Sequence, residues 1–146
     1  MRSGLVLAAT LLAGCAPFSD GIGGSSDEVA DAIAAGKPFR LADLTDFEWD
    51  RFYSFGAYLT NERVDEQLGF HWGKAEASDF ASSDGGSLLV FVRDGEVVEA
   101  FDQDWDDGYF DCVGGREFTP KDASFRVRGE HVLAADGRKA RSCSVD

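Results

Sequence analysis

The chain is poor in the residues that carry most enzyme chemistry: its 146 residues include two histidines, three cysteines and one methionine. His71 and His131 lie far apart, and no H-E-x-x-H, C-x-x-C, G-x-S-x-G or phosphate-cradling glycine loop occurs. The signatures of zinc peptidases, dithiol redox catalysts, serine hydrolases and nucleotide phosphate binders are therefore missing. Positive charge is also scarce, with 14 Lys and Arg against 27 Asp and Glu. No basic cluster alternates with aromatic residues, which argues against a nucleic-acid groove. No apolar run approaches the roughly 20 residues a spanning helix needs, and no internal repeat is visible.

What is present begins at the amino terminus. MRSGLVLAATLLAGC carries one cation at Arg2, an apolar stretch from Leu5 to Ala13, and small residues at Ala13 and Gly14. This is the outline of a removable signal peptide. Leu12-Ala13-Gly14-Cys15 resembles the lipobox of bacterial lipoproteins, an aliphatic and two small residues before cysteine. The resemblance implies diacylglyceryl transfer to the Cys15 thiol, cleavage before it, and often acylation of the new amino terminus. Several acyl chains on one residue hold a protein on a membrane, because each buried methylene contributes about 0.8 kcal/mol and one chain binds only marginally. The alternative is an ordinary secretory signal with an incidental cysteine. In such lipoproteins aspartate after the lipidated cysteine often retains the protein at the inner membrane, so by this resemblance Ala16 implies the periplasmic face of the outer membrane where the host has two membranes.

The organisation expected is a signal peptide over 1–14, a lipidated cysteine with a flexible Gly/Ser-rich tether over 15–26, and one domain over 27–146. Loss of residues 1–14 removes only Arg2, so the mature acidity grows slightly. That charge is repelled by anionic headgroups, which predicts that the body stands off the surface while the lipid anchors it. With Cys15 assigned to lipid, Cys112 and Cys143 remain, and an exported compartment favours their disulfide. Such a bridge closes a loop of about 30 residues and contributes about 3 to 4 kcal/mol in the chain-entropy model. Two cysteines and two distant histidines argue against zinc, and no metal or other cofactor is expected.

Local patterns predict an α+β fold in two layers, two short helices on an antiparallel sheet of four or five strands. Ser26 or Asp27 can cap a helix that Gly36 ends, and Thr60 can cap another that Gly69 ends. Leu41 to Leu44 reads as a turn. Phe47 to Tyr58 reads as a strand with Phe47, Trp49, Tyr53 and Phe55 toward the core, and with Phe52 and Tyr58 on the opposite, exposable face. Residues 70–86 read mostly as loop. Ser87 to Arg93 is apolar on both sides and predicts a central strand, joined through Asp94-Gly95 to an arm over Glu96 to Phe101. Tyr109 to Val113 is a brief pairing segment, Phe118 to Asp122 a turn, Ala123 to Arg128 a strand, and His131 to Leu133 an extension of the sheet. The Arg-rich end reads as loop.

The stretch from Leu44 to Tyr53, Thr60 to Gly69 and the Leu88 to Phe101 hairpin resemble small uncharacterised bacterial lipoproteins, a likeness that carries no activity with it. A helix ending in Leu-Gly before a β-meander is also similar in outline to outer-membrane assembly lipoproteins and to β-lactamase-inhibitor-like domains. Among the remaining candidates, Asp102 to Gly108 places carboxylates at alternate positions. Counted from Asp102 as an EF-hand, however, Asp107 stands where glycine is required and Val113 where the bidentate glutamate is required. Asp46, Glu48, Asp50 and Arg51 surround the aromatic strand, and two facing carboxylates there would permit glycoside chemistry. The reading these patterns support is a lipid-anchored, non-enzymatic envelope domain that binds a protein partner or assists an assembly. The alternative is a small-ligand or calcium-binding module, or a hydrolase.

Overall fold

The computed structural model describes residues 21–145. The signal peptide, Cys15 and the first part of the tether lie outside the described residues. In order, the elements are α1 (Asp27–Ala35), β1 (Phe39–Arg40), β2 (Arg51–Phe55), α2 (Asn61–Leu68), β3 (Gly86–Arg93), β4 (Glu96–Asp104), β5 (Ser124–Arg128) and β6 (His131–Ala134). The fold is α+β, and its six strands form two three-stranded antiparallel sheets, β2-β3-β4 and β1-β5-β6. The expected single sheet of four or five strands is thus replaced by two sheets.

Both helices start and stop where their sequences dictate. The Ser26 hydroxyl accepts from the Val29 N–H and the Thr60 hydroxyl from the Arg63 N–H, satisfying donors that the first helical turn leaves open. Gly36 and Gly69 close the helices in the left-handed conformation that costs a glycine no Cβ clash. The hairpin forms at Asp94-Gly95, where φ is 51° and 76°, the pair of positive angles that matches the twist of the flanking strands. Asp50 braces this turn, its carboxylate accepting from the Asp94 N–H at 2.9 Å.

β3 lies between β2 and β4 and buries both of its faces, as its unbroken apolar run predicts. Leu88, Val90 and Val92 join Tyr53, Phe55, Val64 and Leu68 in a core between the sheet and α2. Leu89 and Phe91 face the other way, into a core shared with Phe52, Phe110, Phe118, Phe125 and Val132, to which α1 adds Val29 and Ile33. The second sheet covers this face, so the central sheet has material on both sides and the two-layer expectation is corrected accordingly.

The same cover relocates Phe52. Its side chain is 0% exposed, with ring centroids 5.0 Å from Phe91, 6.1 Å from Phe118 and 6.3 Å from both Phe110 and Phe125. Tyr58 does lie outside, 57% exposed. The predicted strand over 47–58 shortens to Arg51–Phe55. Because the chain bends before Arg51, the odd-numbered aromatics divide: Phe47 and Trp49 pack on the inter-sheet core, Tyr53 and Phe55 on the α2 core.

Three further expectations change. Phe39–Arg40, unassigned in the sequence reading, pairs with β5. The arm of the hairpin runs three residues beyond Phe101, to Asp104. The stretch read as tether is already attached before Asp27: Gly23 forms a parallel bridge with Phe101, donating to the Ala100 carbonyl and accepting from the Asp102 N–H. Ser25 adds a bond to the Asp104 N–H.

Truncating Phe52 removes the hub of the inter-sheet core and leaves a cavity that neighbouring rings fill only in part. Phe52→Ala should cost about 3–5 kcal/mol, whereas Tyr58→Ala should change stability by about 0.5 kcal/mol or less. Urea unfolding of the two variants checks this, and equal losses would contradict the buried placement of Phe52.

Candidate functional site

The carboxylates singled out from the sequence are dispersed among separate structural duties. Asp102 accepts from the Ser78 hydroxyl and, at 2.9 Å, from the Asp79 N–H, holding the loop before β3 against β4. Asp104 accepts from the Asp106 N–H and caps the short 3-10 turn Trp105–Asp107. Gln103, between them, is fully buried and donates to the Asp107 carbonyl. Glu48 pairs with Arg93, Asp50 holds the hairpin, and Arg51 lies 3.7 Å from Glu117. Among the described residues, none of these carboxylates belongs to a group of three donors close enough to hold a metal ion.

Each histidine is held by an aspartate. His71 lies outside, its Nδ1 2.7 Å from Asp65. The second oxygen of Asp65 accepts the Trp72 and Gly73 N–H groups. Partial desolvation raises the Asp65 pKa, but these backbone N–H groups together with His71 outweigh it and hold the carboxyl below its usual range. This is a loop clamp at the end of α2.

His131, at the start of β6, is the centre of a denser cluster. Its ring stacks on Tyr109 with centroids 4.6 Å apart, and Tyr109 stacks on Trp105 at 5.3 Å. A parallel bridge between Tyr109 and His131 fixes the backbones that carry these rings. His131 Nδ1 is 3.1 Å from Asp111, both side chains being largely covered. Cys112 follows Asp111 in a short 3-10 turn and is joined to Cys143, so the disulfide expected from the sequence is present in the structure. The donor atoms of Asp111, Cys112 and His131 lie within 4.8 Å of one another, the one such trio among the described residues. Two cysteines and two mutually distant histidines argue against zinc in the sequence, and the β5-β6 hairpin places one of those histidines, His131, beside Cys112.

Ser142 and Ser144 stand beside this cluster, but their hydroxyls are directed to Asp111, at its carbonyl (2.8 Å) and its carboxylate (3.4 Å). They help to pin the carboxy-terminal segment. An Asp-His-Ser relay instead requires the hydroxyl on the imidazole.

The second feature is a groove of about 300 Å³ along the outer edge of β4, lined by Ile22, Trp72, Lys74, Val97, Val98 and Ala100 among others. β4 ends the central sheet, and its outer edge is bridged at Gly23 and bonded by the Ser25 hydroxyl at Asp102 and Asp104. No helix among the described residues is long and apolar enough to cross a membrane. Comparisons with protein-family models, curated proteins and solved structures return no match.

Near the disulfide, Arg116 makes a two-pronged pair with Asp136 and lies over the Phe118 ring at 4.4 Å. The Arg116 guanidinium and the Arg138 N–H hold the Asp136 carboxyl at about 2, below its ordinary value. A carboxylate with a lowered pKa stabilises the fold fully above its unfolded value near 4. That contribution is lost as pH falls toward 2. Asp136→Asn should therefore lower the urea midpoint at pH 6, with the gap to the parent closing between about pH 4 and pH 2. A gap that stays constant across that window would show that the loss does not come from the Asp136 charge.

Proposed function

We propose that this chain is a lipid-anchored cell-envelope protein whose acidic domain is a non-enzymatic binding module for an extended segment of a partner protein. The anchoring part rests on Leu12-Ala13-Gly14-Cys15 and its resemblance to a lipobox. The binding part rests on one observation above others, the groove beside the terminal strand β4. A strand edge offers main-chain hydrogen bonds to an extended peptide, while neighbouring pockets select its side chains. Trp72, Ile22 and Val97 give this groove an apolar wall, and Lys74 gives it a cationic rim. The preferred ligand segment is thus extended, with apolar side chains for that wall. The dispersal of the acidic and histidine side chains into structural contacts supports binding over catalysis.

Two measurements test this reading. Growth with a clickable fatty acid should label the parent chain, and Cys15→Ser should abolish the label; a retained label would remove Cys15 as the lipid site. A photo-crosslinking residue placed at Lys74 in the anchored protein should yield one reproducible protein adduct that the same probe at Tyr58 does not. Equal adducts at both positions, or none at Lys74, would count against the groove as the binding surface.

A further inference from the structure

The cluster around His131 combines a carboxylate, an imidazole and a cysteine sulfur with a second cysteine bonded to the first. As a disulfide those sulfurs are poor metal ligands, because it is the thiolate that coordinates. We propose that reduction of Cys112–Cys143 converts this cluster into a tetrahedral binding site for a divalent cation of the zinc type, with Asp111, Cys112, Cys143 and His131 as ligands.

The donor chemistry suits zinc, which takes sulfur at about 2.3 Å and nitrogen or oxygen at about 2.0–2.2 Å in four-coordinate sites. Those bond lengths place tetrahedral donors roughly 3.3–3.8 Å apart. His131 Nδ1 and the Asp111 carboxylate are already 3.1 Å apart, and the Cys112 sulfur lies within 4.8 Å of both. Small side-chain rotations close the set around one ion. The ion takes the place of the hydrogen bond between His131 Nδ1 and Asp111, and the neutral imidazole binds through Nδ1 as the tautomer that carries its one proton on Nε2.

Cys143 supplies the fourth ligand, and its segment has attachments that do not depend on the S–S bond. The Ala140 N–H donates to the Cys112 carbonyl at 2.9 Å, Cys143 N–H donates to Ala140, and Ser142 donates to the Asp111 carbonyl. These bonds keep the two sulfurs close after reduction. A cavity of about 400 Å³ walled by Arg116, Arg138, Lys139 and Arg141 opens onto Cys112 and gives an approach to the site. Two thiolates and a carboxylate with one dication leave a net charge of about −1, which Arg138, Lys139 and Arg141 offset, Arg116 being already paired with Asp136.

The conversion requires a dithiol reductant. Its two S–H groups give two electrons and two protons to the disulfide: the Cys112–Cys143 bond breaks, two thiols form, and the reductant closes its own disulfide. Metal binding then displaces one proton from each cysteine thiol to solvent. Oxidation reverses the sequence and releases the ion.

The test uses the full chain carrying Cys15→Ser, which leaves Cys112 and Cys143 as its only thiols. After treatment with a dithiol and its removal under anaerobic conditions, the chain is titrated with cobalt(II) and then zinc(II). Expected for the reduced chain is one equivalent of cobalt, with the intense visible bands of tetrahedral cobalt and a thiolate charge-transfer band, displaced by zinc. The oxidised chain should show neither. His131→Gln and Asp111→Asn should each weaken affinity by at least about tenfold, the loss that even supporting residues of metal sites give. Cys143→Ser frees Cys112 without reductant and should bind cobalt in air with one thiolate and lower affinity. A reduced chain that loses its cooperative melt and regains it with one equivalent of zinc also supports the site. Binding unchanged in His131→Gln would reveal two cysteines acting alone and overturn the proposal. So would a reduced chain that takes up no metal, folded or not.

Discussion

The structure depends on one strand having both faces buried. β3 sends Leu88, Val90 and Val92 toward α2 and Leu89 and Phe91 toward the second sheet, so a single segment is shared by both cores. A chain of this size gains stability only by covering a large share of its apolar surface, and a three-stranded sheet with one wet face would leave several of its aromatic rings in water. Covering both faces accounts for the position of β1-β5-β6 on one side and α2 on the other. It also accounts for how the outer edges of the central sheet are treated: residues 115–118 bond to β2 at Ser54 and Phe52, and Gly23 bonds to β4. Bare edges invite unwanted pairing.

What the sequence made legible follows the range of the interaction. Caps, turns and hairpins are decided within a few residues, so Ser26, Gly36, Thr60, Gly69 and Asp94-Gly95 could be read directly. The unbroken apolar run of β3 also announced its central place. The second sheet could not be read in this way, because its cover over Phe52 joins β2 to segments more than 60 residues later. Period-two reasoning assigns one strand face to water when the other is buried, and here both are dry. The alternation failed for a second reason at Phe47 and Trp49, where the chain bends before the strand begins. Gly23 was hidden by composition: a Gly/Ser-rich stretch reads as linker, yet glycine also permits the close backbone approach that a bridge to β4 uses.

The candidate sites were legible to different degrees for the same reason. Pairing of Cys112 with Cys143 needed only a count of cysteines and the lipobox-like motif at Cys15. The Asp111–His131 contact needed the β5-β6 hairpin and the Tyr109 bridge, neither of which fixes a spacing in the sequence. The β4 groove is made by Trp72 and Ile22 from separate loops, so no local pattern marks it.

Acidity, read from composition as a source of repulsion from anionic headgroups, has a second use in the folded chain. Asp50, Asp65, Asp102, Asp104 and Asp122 each accept backbone N–H groups in loops or short turns. Loops with few apolar residues must satisfy their donors by such means, and a carboxylate forms the stronger, charge-assisted kind of bond. Nor is the charge spread evenly. From Arg116 onward the chain holds seven of its 14 basic side chains and five of its 27 acidic ones. The remainder, which includes β4 and its groove, therefore has 7 basic and 22 acidic side chains and carries more than the whole net negative charge, the segment from Arg116 being slightly positive. With lipid on Cys15, Gly23 on β4 would be eight residues from the anchor, a reach of at most about 29 Å. Such an anchor would limit how far the β4 edge could stand from anionic headgroups, while their repulsion would favour the outer part of that range.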